Sequence, residues 1–450
     1  MSTESNISPT SANKITMFHF LSFWIGQLFS VFGSSVVFFS VLWYFTDITK
    51  EFPNQGTIFT SVSALVTIPW TIVLFFSGVF IDRWNRKKII LVSDAVQAFM
   101  TIVLVVLFMF GFDFWPVNLW IVTAIFMIRQ TAQGFHQPSI QAIIPLMIPK
   151  DKISRFNGLN TFVSSTIQIA GPIFSGFLIG LGLSFTQILW IDVITFCIAL
   201  IPTIFIKIPP HKIESLENSK EKSSYFQEFK EGFRTIMDIR GMPALFLVII
   251  VLNFITQPFN ALQPIYFQQI IGSEFYTPLA INGIFFQVAV FIGAGLMMLR
   301  KKWKKKSLLI IGTQFLGIGA WYLVSLAGFG FPIYFIYIAS SMVGLYASIY
   351  NTTYQTIFHE TIPADKLGRV FSVDYAISFF LGPIATLISG PLSDWLGLEN
   401  LYLGIAIFAT IFLTVVVIFS DYRYVGVDTP EPLSDKKLER KQMLETPESL

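Results

Sequence analysis

Long apolar runs dominate the pattern of this chain. From Ile15 onward, runs of about 20 residues or more follow one another with short polar segments between them. An apolar helix of about 20 residues spans a bilayer, whereas strands of a membrane barrel alternate over about 10 residues. The runs lie at 17–44, 57–81, 88–111, 116–140, 159–182, 186–207, 243–270, 276–299, 307–329, 331–357, 370–394 and 400–420. This pattern predicts an all-α membrane protein with twelve transmembrane helices.

The longest polar interruption, 208–240, separates six spans from six. Four apolar residues recur in it at helical spacing and predict an amphipathic helix at the membrane surface. These are Phe226, Phe229, Phe233 and Ile236. The expected organisation is a disordered N-terminal tail (1–14), a six-helix bundle (15–207), a cytoplasmic linker (208–240), a second six-helix bundle (241–421) and a disordered cytoplasmic tail (422–450).

Basic residues fall on one side of the predicted membrane. When the N-terminus is assigned to the cytoplasm, only Lys50 and Arg129 of the 30 Lys and Arg residues lie outside the cytoplasmic segments. Cytoplasmic loops of membrane proteins carry such an excess of positive charge. We therefore expect a multi-pass protein of the cell membrane with both termini in the cytoplasm.

Composition narrows the class of protein further. The chain is 54% hydrophobic and 13% charged, about half the charge of a typical soluble domain. This excludes a soluble globular protein, a disordered chain and a nucleic-acid-binding domain. The single cysteine, Cys197, excludes an intramolecular disulfide and a cysteine metal cage. We expect no cofactor and no metal.

Residues on the predicted cytoplasmic side of the first half recur in the second half at one common offset of 214 residues. The matching pairs are Gln141 with Gln355, Pro149 with Pro363, and Asp151 with Asp365. Recurrent basic loops follow from topology alone, but these matches do not. The repeat predicts two duplicated bundles in the same orientation, a known plan of secondary transporters.

Two motifs carry a family resemblance. The loop after the second span reads Gly78-Val-Phe-Ile-Asp82-Arg83-Trp-Asn-Arg86-Lys-Lys, which resembles the loop signature of the major facilitator superfamily. The stretch that begins Arg129-Gln-Thr-Ala-Gln-Gly-Phe-His-Gln-Pro, together with Leu-Gly-Arg-Val-Phe-Ser at 367–372, is similar to the macrolide-efflux branch of bacterial drug:proton antiporters.

The resemblance implies a proton-coupled exporter of bulky hydrophobic or amphipathic compounds that works by alternating access. Siderophore and lysolipid exporters lie close to this branch, and an uncoupled facilitator is a further alternative. The chain departs from the pattern at Leu296, where the repeat of the loop motif lacks the acid, and at Ile167, where the antiporter motif of the fifth span has glycine.

The same resemblance implies a cytoplasmic gate between the loop after the second span and the start of the eleventh span. In it, Asp82 would face the first exposed amides of the eleventh helix, and arginines of the loop would reach an acid one turn further on. The gate residues are Gly78, Asp82, Arg83, Arg86 and Asp374.

One basic residue, Arg129, lies inside a predicted span. A lone cation at that depth is costly, so it should face a carboxylate or a wet cavity. Asp94 in the third span is the nearest candidate, and Asp192 in the sixth is a weaker alternative. We expect Asp94 and Arg129 to form the proton-coupling pair, or else to be a static structural pair.

Polar residues on otherwise apolar spans predict a substrate cavity. Four amides of the seventh span recur at spacings of four, three and three, which places them on one side of a helix. The candidate cavity residues are Gln27, Gln133, Asn253, Gln257, Asn260 and Gln263. Two Gly-Pro pairs within spans predict helix kinks that suit alternating access or static packing. These are Gly171-Pro172 and Gly382-Pro383.

The remaining alternative is a membrane-embedded enzyme. It would need converging acids, histidines or a metal cluster, and the four histidines are scattered along the chain. The sequence therefore favours a transporter and not an enzyme. Its expected partners are the lipid bilayer, a small hydrophobic organic substrate and a proton as the coupling ion, with no nucleic acid; we expect a monomer.

Overall fold

The computed structural model describes residues 9–111, 117–149, 152–206, 225–272, 274–299 and 305–426. These ranges are helical, and they contain no strand. The helices are α1 (Pro9–Thr49), α2 (Gln55–Arg83), α3 (Arg86–Met109), α4 (Val117–Met147), α5 (Ile153–Gly180), α6 (Phe185–Phe205), α7 (Tyr225–Asp238), α8 (Met242–Ala261), α9 (Gln263–Ile271), α10 (Tyr276–Met298), α11 (Lys306–Gly328), α12 (Tyr334–Thr361), α13 (Ala364–Leu396) and α14 (Leu398–Phe419).

The helices occupy the positions of the predicted spans, which confirms an all-α membrane protein. Within the described ranges, 9 helices are long and apolar enough to cross a membrane. Two boundaries differ from the prediction. Helix α1 begins at Pro9, inside the predicted tail, and the seventh span is broken at Leu262 between α8 and α9. The break lies between Pro258 and Pro264, which each remove a backbone donor.

The chain divides into two compact units that are not contiguous in sequence. The first unit comprises Met1–Leu216 and Phe267–Gly283, and the second comprises Glu217–Tyr266 and Ile284–Leu450. Residues 267–283, which fall within the predicted second bundle, belong to the first of these units. Residues 208–224 of the predicted linker and 427–450 of the predicted tail lie outside the described residues, and the division into domains stays a prediction.

Helix α1 organises the first unit. It packs against α5 and α6, while α4 packs against α2 and α3. Aromatic residues fill one end of this core, where the ring of Phe156 on α5 lies 5.0 Å from that of Trp24 and 5.3 Å from that of Phe20. Burial of such large rings, each worth about 1.5–3 kcal/mol, fixes α1 against its neighbours.

The second unit is built on α8, α11, α13 and α14, and the amphipathic helix α7 docks onto α13. Of its predicted apolar positions, Phe229 and Ile236 pack into this core while Phe233 is exposed. Phe226 lies outside the residues whose side chains are described. Glu231 of α7 pairs with Arg369 of α13. The linker thus carries a helix that is integrated into the second unit.

A glycine permits the close approach of α12 and α10 in the second unit. A Cβ atom added at Gly344 would overlap the backbone carbonyl of Phe286 and approach Ala289 at 2.9 Å. Gly344→Ala should therefore lower stability by about 1–3 kcal/mol, because a backbone atom cannot turn aside as a side chain can. Thermal unfolding in detergent measures the effect. Gly312→Ala on α11, where the added Cβ meets nothing within 4 Å, is the matched control. Equal melting of both variants would contradict this packing.

Candidate functional site

Two layers of polar side chains cross the core of the first unit. Each of α1, α3 and α4 contributes one residue to each layer, seven residues apart, and α6 supplies a fourth to each. The arginine layer is Ser34, Thr101, Arg129 and Asp192. The histidine layer is Gln27, Asp94, His136 and Thr203. Because seven residues make two helical turns, the layers are about 10 Å apart along α1, α3 and α4.

The arginine layer is a closed ion pair. Arg129 Nη1 lies 2.7 Å from Asp192 Oδ2, and both residues are 3% exposed. The same nitrogen donates to the backbone carbonyl of Gln97 at 2.7 Å and contacts Thr101. The hydroxyls of Thr101 and Ser34 donate to the two oxygens of Asp192, each at 2.7 Å. This full set of hydrogen bonds offsets the cost of burying two charges.

The histidine layer joins an acid to an imidazole through an amide. Nε2 of His136 lies 3.0 Å from Asp94 Oδ1 and 3.0 Å from Gln27 Oε1. The amide nitrogen of Gln27 donates to Asp94 Oδ2 at 3.1 Å and to the Thr203 hydroxyl at 3.0 Å. His136 is 1% exposed and Asp94 is 3% exposed. The layer is therefore buried and closely hydrogen-bonded.

The hydrogen bonds fix where the proton of His136 lies. Both partners of Nε2 are oxygen acceptors, so Nε2 carries the hydrogen. Nδ1 is buried and finds no hydrogen-bond partner among the described residues. A lone pair left unused there costs less than an N–H left unpaired, so this arrangement suits a neutral imidazole. The histidine layer then carries one negative charge, that of Asp94.

The predicted pair of Asp94 and Arg129 is not formed in the structure. Arg129 pairs with Asp192, and Asp94 with His136. Helix packing explains the difference, since Asp94 lies two turns along α3 from Thr101, the residue of α3 that contacts Arg129. Sequence reasoning did not identify His136 or Thr101 as site residues. The seven-residue spacing of polar positions on α1, α3 and α4 was the signal that could have found them.

Of the predicted cavity residues, one is buried in the histidine layer and the other five are half-buried or exposed. Gln27 is 2% exposed and its amide is fully used in the histidine layer, which differs from the predicted place on a cavity wall. Gln133 on α4 is half-buried. Asn253 and Asn260 on α8 are exposed, while Gln257 and Gln263 are half-buried.

These four amides of α8 and α9 are defined as the amide stripe. The buried side of α8 is apolar, since Leu245, Val248 and Leu252 pack into the core of the second unit. The two asparagines of the amide stripe, Asn253 and Asn260, thus lie on the exposed side of α8. Lipid hydrocarbon offers amides no hydrogen-bond partner. Exposed amide side chains inside a membrane therefore suit a water-filled passage.

Part of the predicted gate lies at the end of α2, where the surroundings of the side chains are not described. These residues are Gly78, Asp82 and Arg83. Arg86 donates to the carbonyl of Ala142 on α4 at 3.0 Å. Asp374 is buried on α13 at 9% exposure. The gate stays a prediction.

Lys87 of the same loop holds the end of α6. Its ammonium donates to the carbonyls of Ile204 at 2.6 Å and Ile206 at 2.8 Å. The last carbonyls of a helix have no partner within the helix, and a cation satisfies them well. This basic residue therefore has a structural role as well as a part in membrane orientation.

Both predicted Gly-Pro pairs lie within continuous helices, Pro172 in α5 and Pro383 in α13. Gly171 allows α5 to approach α1 closely, because a Cβ there would overlap the side chain of Ser35. Gly382 lies beside the amide stripe, where an added Cβ would be 3.8 Å from Gln257 Nε2. The predicted bending during transport remains a prediction.

A polar cluster holds the segment Phe267–Gly283 within the first unit. Asp47 of α1 accepts from Gln268 at 3.2 Å and from the hydroxyl of Tyr276, and Gln55 of α2 donates to Gln268 at 2.9 Å. The ring of Trp43 lies 5.7 Å from that of Tyr276. A single carboxylate therefore ties α1 to both α9 and α10.

Asp47→Ala should loosen the segment Phe267–Gly283, because Tyr276 and Gln268 lose a shared charged acceptor. Hydrogen exchange followed by mass spectrometry should show faster exchange of peptides from this segment. Glu51→Ala, at an exposed acid of the same unit, is the control and should leave exchange unchanged. The same exchange rate in both variants would mean that Asp47 does not hold the segment.

An open cavity of about 610 Å³ lies at the corner of α7, α8 and α14 in the second unit. Its one basic group, Arg240, bonds Asp421 at 3.0 Å and lies 4.4 Å from the ring centre of Tyr424. That hydrogen bond raises the pKa of Arg240 and lowers the pKa of the Asp421 carboxyl. Arg240 and Asp421 already satisfy each other, and the cavity holds none of the residues of either layer.

The sequence of this chain is similar to those of known membrane transport proteins. The family model described as Major Facilitator Superfamily matches residues 23–385. The chain is 27% identical over 391 residues to macrolide efflux protein A of Streptococcus pyogenes, covering 85% of this chain and 91% of the relative. It is 28% identical over 331 residues to macrolide efflux protein A of Enterococcus faecalis, covering 72% and 97%.

The fold is shared with solved transporters. A crystal structure of the nucleoside transporter NupG superimposes with a TM-score of 0.64 at 13% identity, covering 90% of this chain and 99% of that one. This likeness shows the fold, and the family match together with the apolar helices defines a multi-pass membrane transport protein and not an enzyme. Since the family model spans most of its length, the chain belongs to the Major Facilitator Superfamily.

Proposed function

We propose that this protein is a proton-coupled exporter of bulky hydrophobic or amphipathic compounds, macrolide-like drugs among them, in the cell membrane with both termini in the cytoplasm. The observation that carries the proposal is the histidine layer, a buried acid–imidazole pair in the core of the first unit. A proton-coupled transporter needs a group whose charge changes as its surroundings change, and such a pair supplies one.

Asp94 is the acid of the proposed coupling site, and Arg129 is its electrostatic neighbour two turns away. The arginine layer is electrically neutral as a closed pair, while the histidine layer carries the charge that a proton can cancel. Loading one proton removes the net charge from the core of the first unit. Removing a net charge lowers the cost of rearranging that core within a membrane.

The substrate class is supported by the amide stripe and by the relatives. Amides on an exposed helix face, with aromatic residues abundant in the chain, suit large molecules that carry few fixed charges. The curated relatives are named as macrolide efflux proteins. A siderophore or lysolipid exporter and an uncoupled facilitator are the alternatives.

Liposomes that contain the purified protein in the inside-out orientation test the proposal. These inside-out vesicles should accumulate erythromycin when their interior is acidic, and they should not accumulate a siderophore or a lysolipid. Collapse of the pH gradient with a protonophore should abolish accumulation. Uptake that ignores the gradient would indicate a facilitator, and uptake of only the siderophore or lysolipid would overturn the substrate class.

A further inference from the structure

We propose that His136 is the residue that takes up the coupling proton, with Asp94 as its fixed counter-ion. This inference rests on the proposed function, because it names the atom that binds and releases the proton of a proton-coupled exporter. The step is balanced: a proton from the aqueous phase adds to the Nδ1 lone pair of the neutral imidazole and gives imidazolium. The Asp94 carboxylate is unchanged, and the charge of the histidine layer goes from minus one to zero.

Geometry distinguishes the two nitrogens of the ring. Nε2 is engaged by Asp94 and Gln27, each at 3.0 Å, and holds its hydrogen in both charge states. Nδ1 is buried and unpartnered among the described residues, so it is the atom that remains open to a proton. The orphaned nitrogen lies on a ring that is 1% exposed, where an unused polar atom needs an explanation.

The same orphaned nitrogen makes proton uptake depend on conformation. In the arrangement described here, an imidazolium would carry a buried Nδ1–H with no acceptor. The charged form therefore favours an arrangement in which Nδ1 meets water or another acceptor. A proton that prefers one arrangement over another shifts the balance between them, and this is the requirement for coupling.

The electrostatic surroundings leave Asp94 as the counter-ion. Helices α1 and α6 present the neutral Gln27 and Thr203 to the layer. On α4 itself, Arg129 is two turns away and paired with Asp192. Lys87 at the start of α3 is bound to the final carbonyls of α6. Among the described residues, Asp94 is the one ionised group within hydrogen-bond distance of His136.

The competing assignment gives the proton to Asp94 while His136 stays neutral. Both assignments add one proton to the layer, so a transport assay of Asp94 variants cannot separate them. The charge state of the imidazole ring does separate them. Imidazolium has hydrogen on both nitrogens, whereas protonation of Asp94 leaves the ring in its neutral Nε2–H form.

The experiment is nitrogen-15 NMR of histidine-labelled, full-length protein in lipid nanodiscs. The signal absent from His136→Gln belongs to His136, which separates it from the other three histidines. As the pH is lowered over the range in which the protein stays folded, we expect this signal to change from the neutral to the imidazolium pattern. A ring that remains in the neutral Nε2–H form over this range would overturn the proposal.

Erythromycin uptake into inside-out vesicles gives the functional arm. His136→Gln keeps a donor toward Asp94 but has no basic nitrogen, so gradient-driven uptake should fall to the level of protein-free vesicles. Exchange of erythromycin without a gradient should remain. His359→Gln, at an exposed histidine on α12, is the control and should behave as the wild type does.

The outcomes separate this inference from the function on which it rests. If the pH gradient drives uptake equally well in the wild type and in His136→Gln, the role of His136 is overturned and proton-coupled export remains. Wild-type uptake that ignores the gradient would overturn proton coupling and the role of His136 together.

Discussion

Arg129→Met should destabilise the first unit by about 3–5 kcal/mol, because it leaves Asp192 as a buried charge without its partner. Asp192→Leu should cost a similar amount, since Arg129 would then keep the Thr101 hydroxyl, the carbonyl of Gln97 and the ring of Phe126 but would have no charged partner among the described residues. The double variant should be far less destabilised than the sum of the two. Replacing a whole buried ion pair by apolar side chains is often nearly neutral.

Thermal unfolding in detergent, followed by tryptophan fluorescence, measures all four members of this cycle. The coupling between the two sites is the part of the double-variant effect that the single variants do not explain. Additive losses would contradict the closed pair seen in the arginine layer. The cycle also separates stability from transport, because a folded double variant shows whether the ion pair is needed for export.

Asp94→Asn should abolish uptake driven by a pH gradient while substrate exchange without a gradient persists. Asparagine fills the same space and can still bond Gln27 and His136, but it cannot provide the charge that balances a proton. Erythromycin uptake into inside-out vesicles, with and without the gradient, measures the two activities separately. Because asparagine fits the same site, the variant should stay folded while it loses uptake driven by the pH gradient.

Glu51→Gln is the matched control for this prediction, since it neutralises an exposed acid of the same unit and should retain full drive. Exchange in Asp94→Asn that still depends on pH would remove Asp94 from the coupling mechanism. Loss of both activities, with normal melting, would instead place Asp94 at the substrate.

Helix positions could be predicted because apolar length is a property of each segment alone. The need to satisfy backbone groups in lipid makes every long apolar run a helix, whatever its neighbours are. The break at Leu262 was visible in advance as two flanking prolines. The helical start of α1 at Pro9 was not, because its polar residues resemble a disordered tail.

The partner of each buried charge could not be predicted in the same way. Arg129 and Asp94 are close along the chain, but which acid faces Arg129 depends on how α3, α4 and α6 rotate against one another. Polar positions seven residues apart contain part of that information, since they mark one face of each helix. Reading them on three helices at once would have grouped His136 with Asp94.

The assignment of Phe267–Gly283 to the first unit also depends on packing. The segment joins the end of the seventh predicted run to the start of the eighth, and both runs follow the linker that was expected to separate the two bundles. Only the contacts of Tyr276 and Gln268 with Asp47 reveal where it belongs. An acid near the end of the first span gave no such indication by itself.

The chain has one thiol, and Cys197 is exposed on α6, five residues beyond Asp192. Because Cys197 lies mid-way along a helix that is long and apolar enough to cross a membrane, a lipid-soluble, thiol-reactive nitroxide suits this single position of the otherwise unaltered protein. Helix α6 carries a member of each polar layer, Asp192 and Thr203. A probe at Cys197 would lie on the exposed side of this helix, away from the buried Asp192. Spectroscopists thus have a natural reporter of that helix without first building a cysteine-free background.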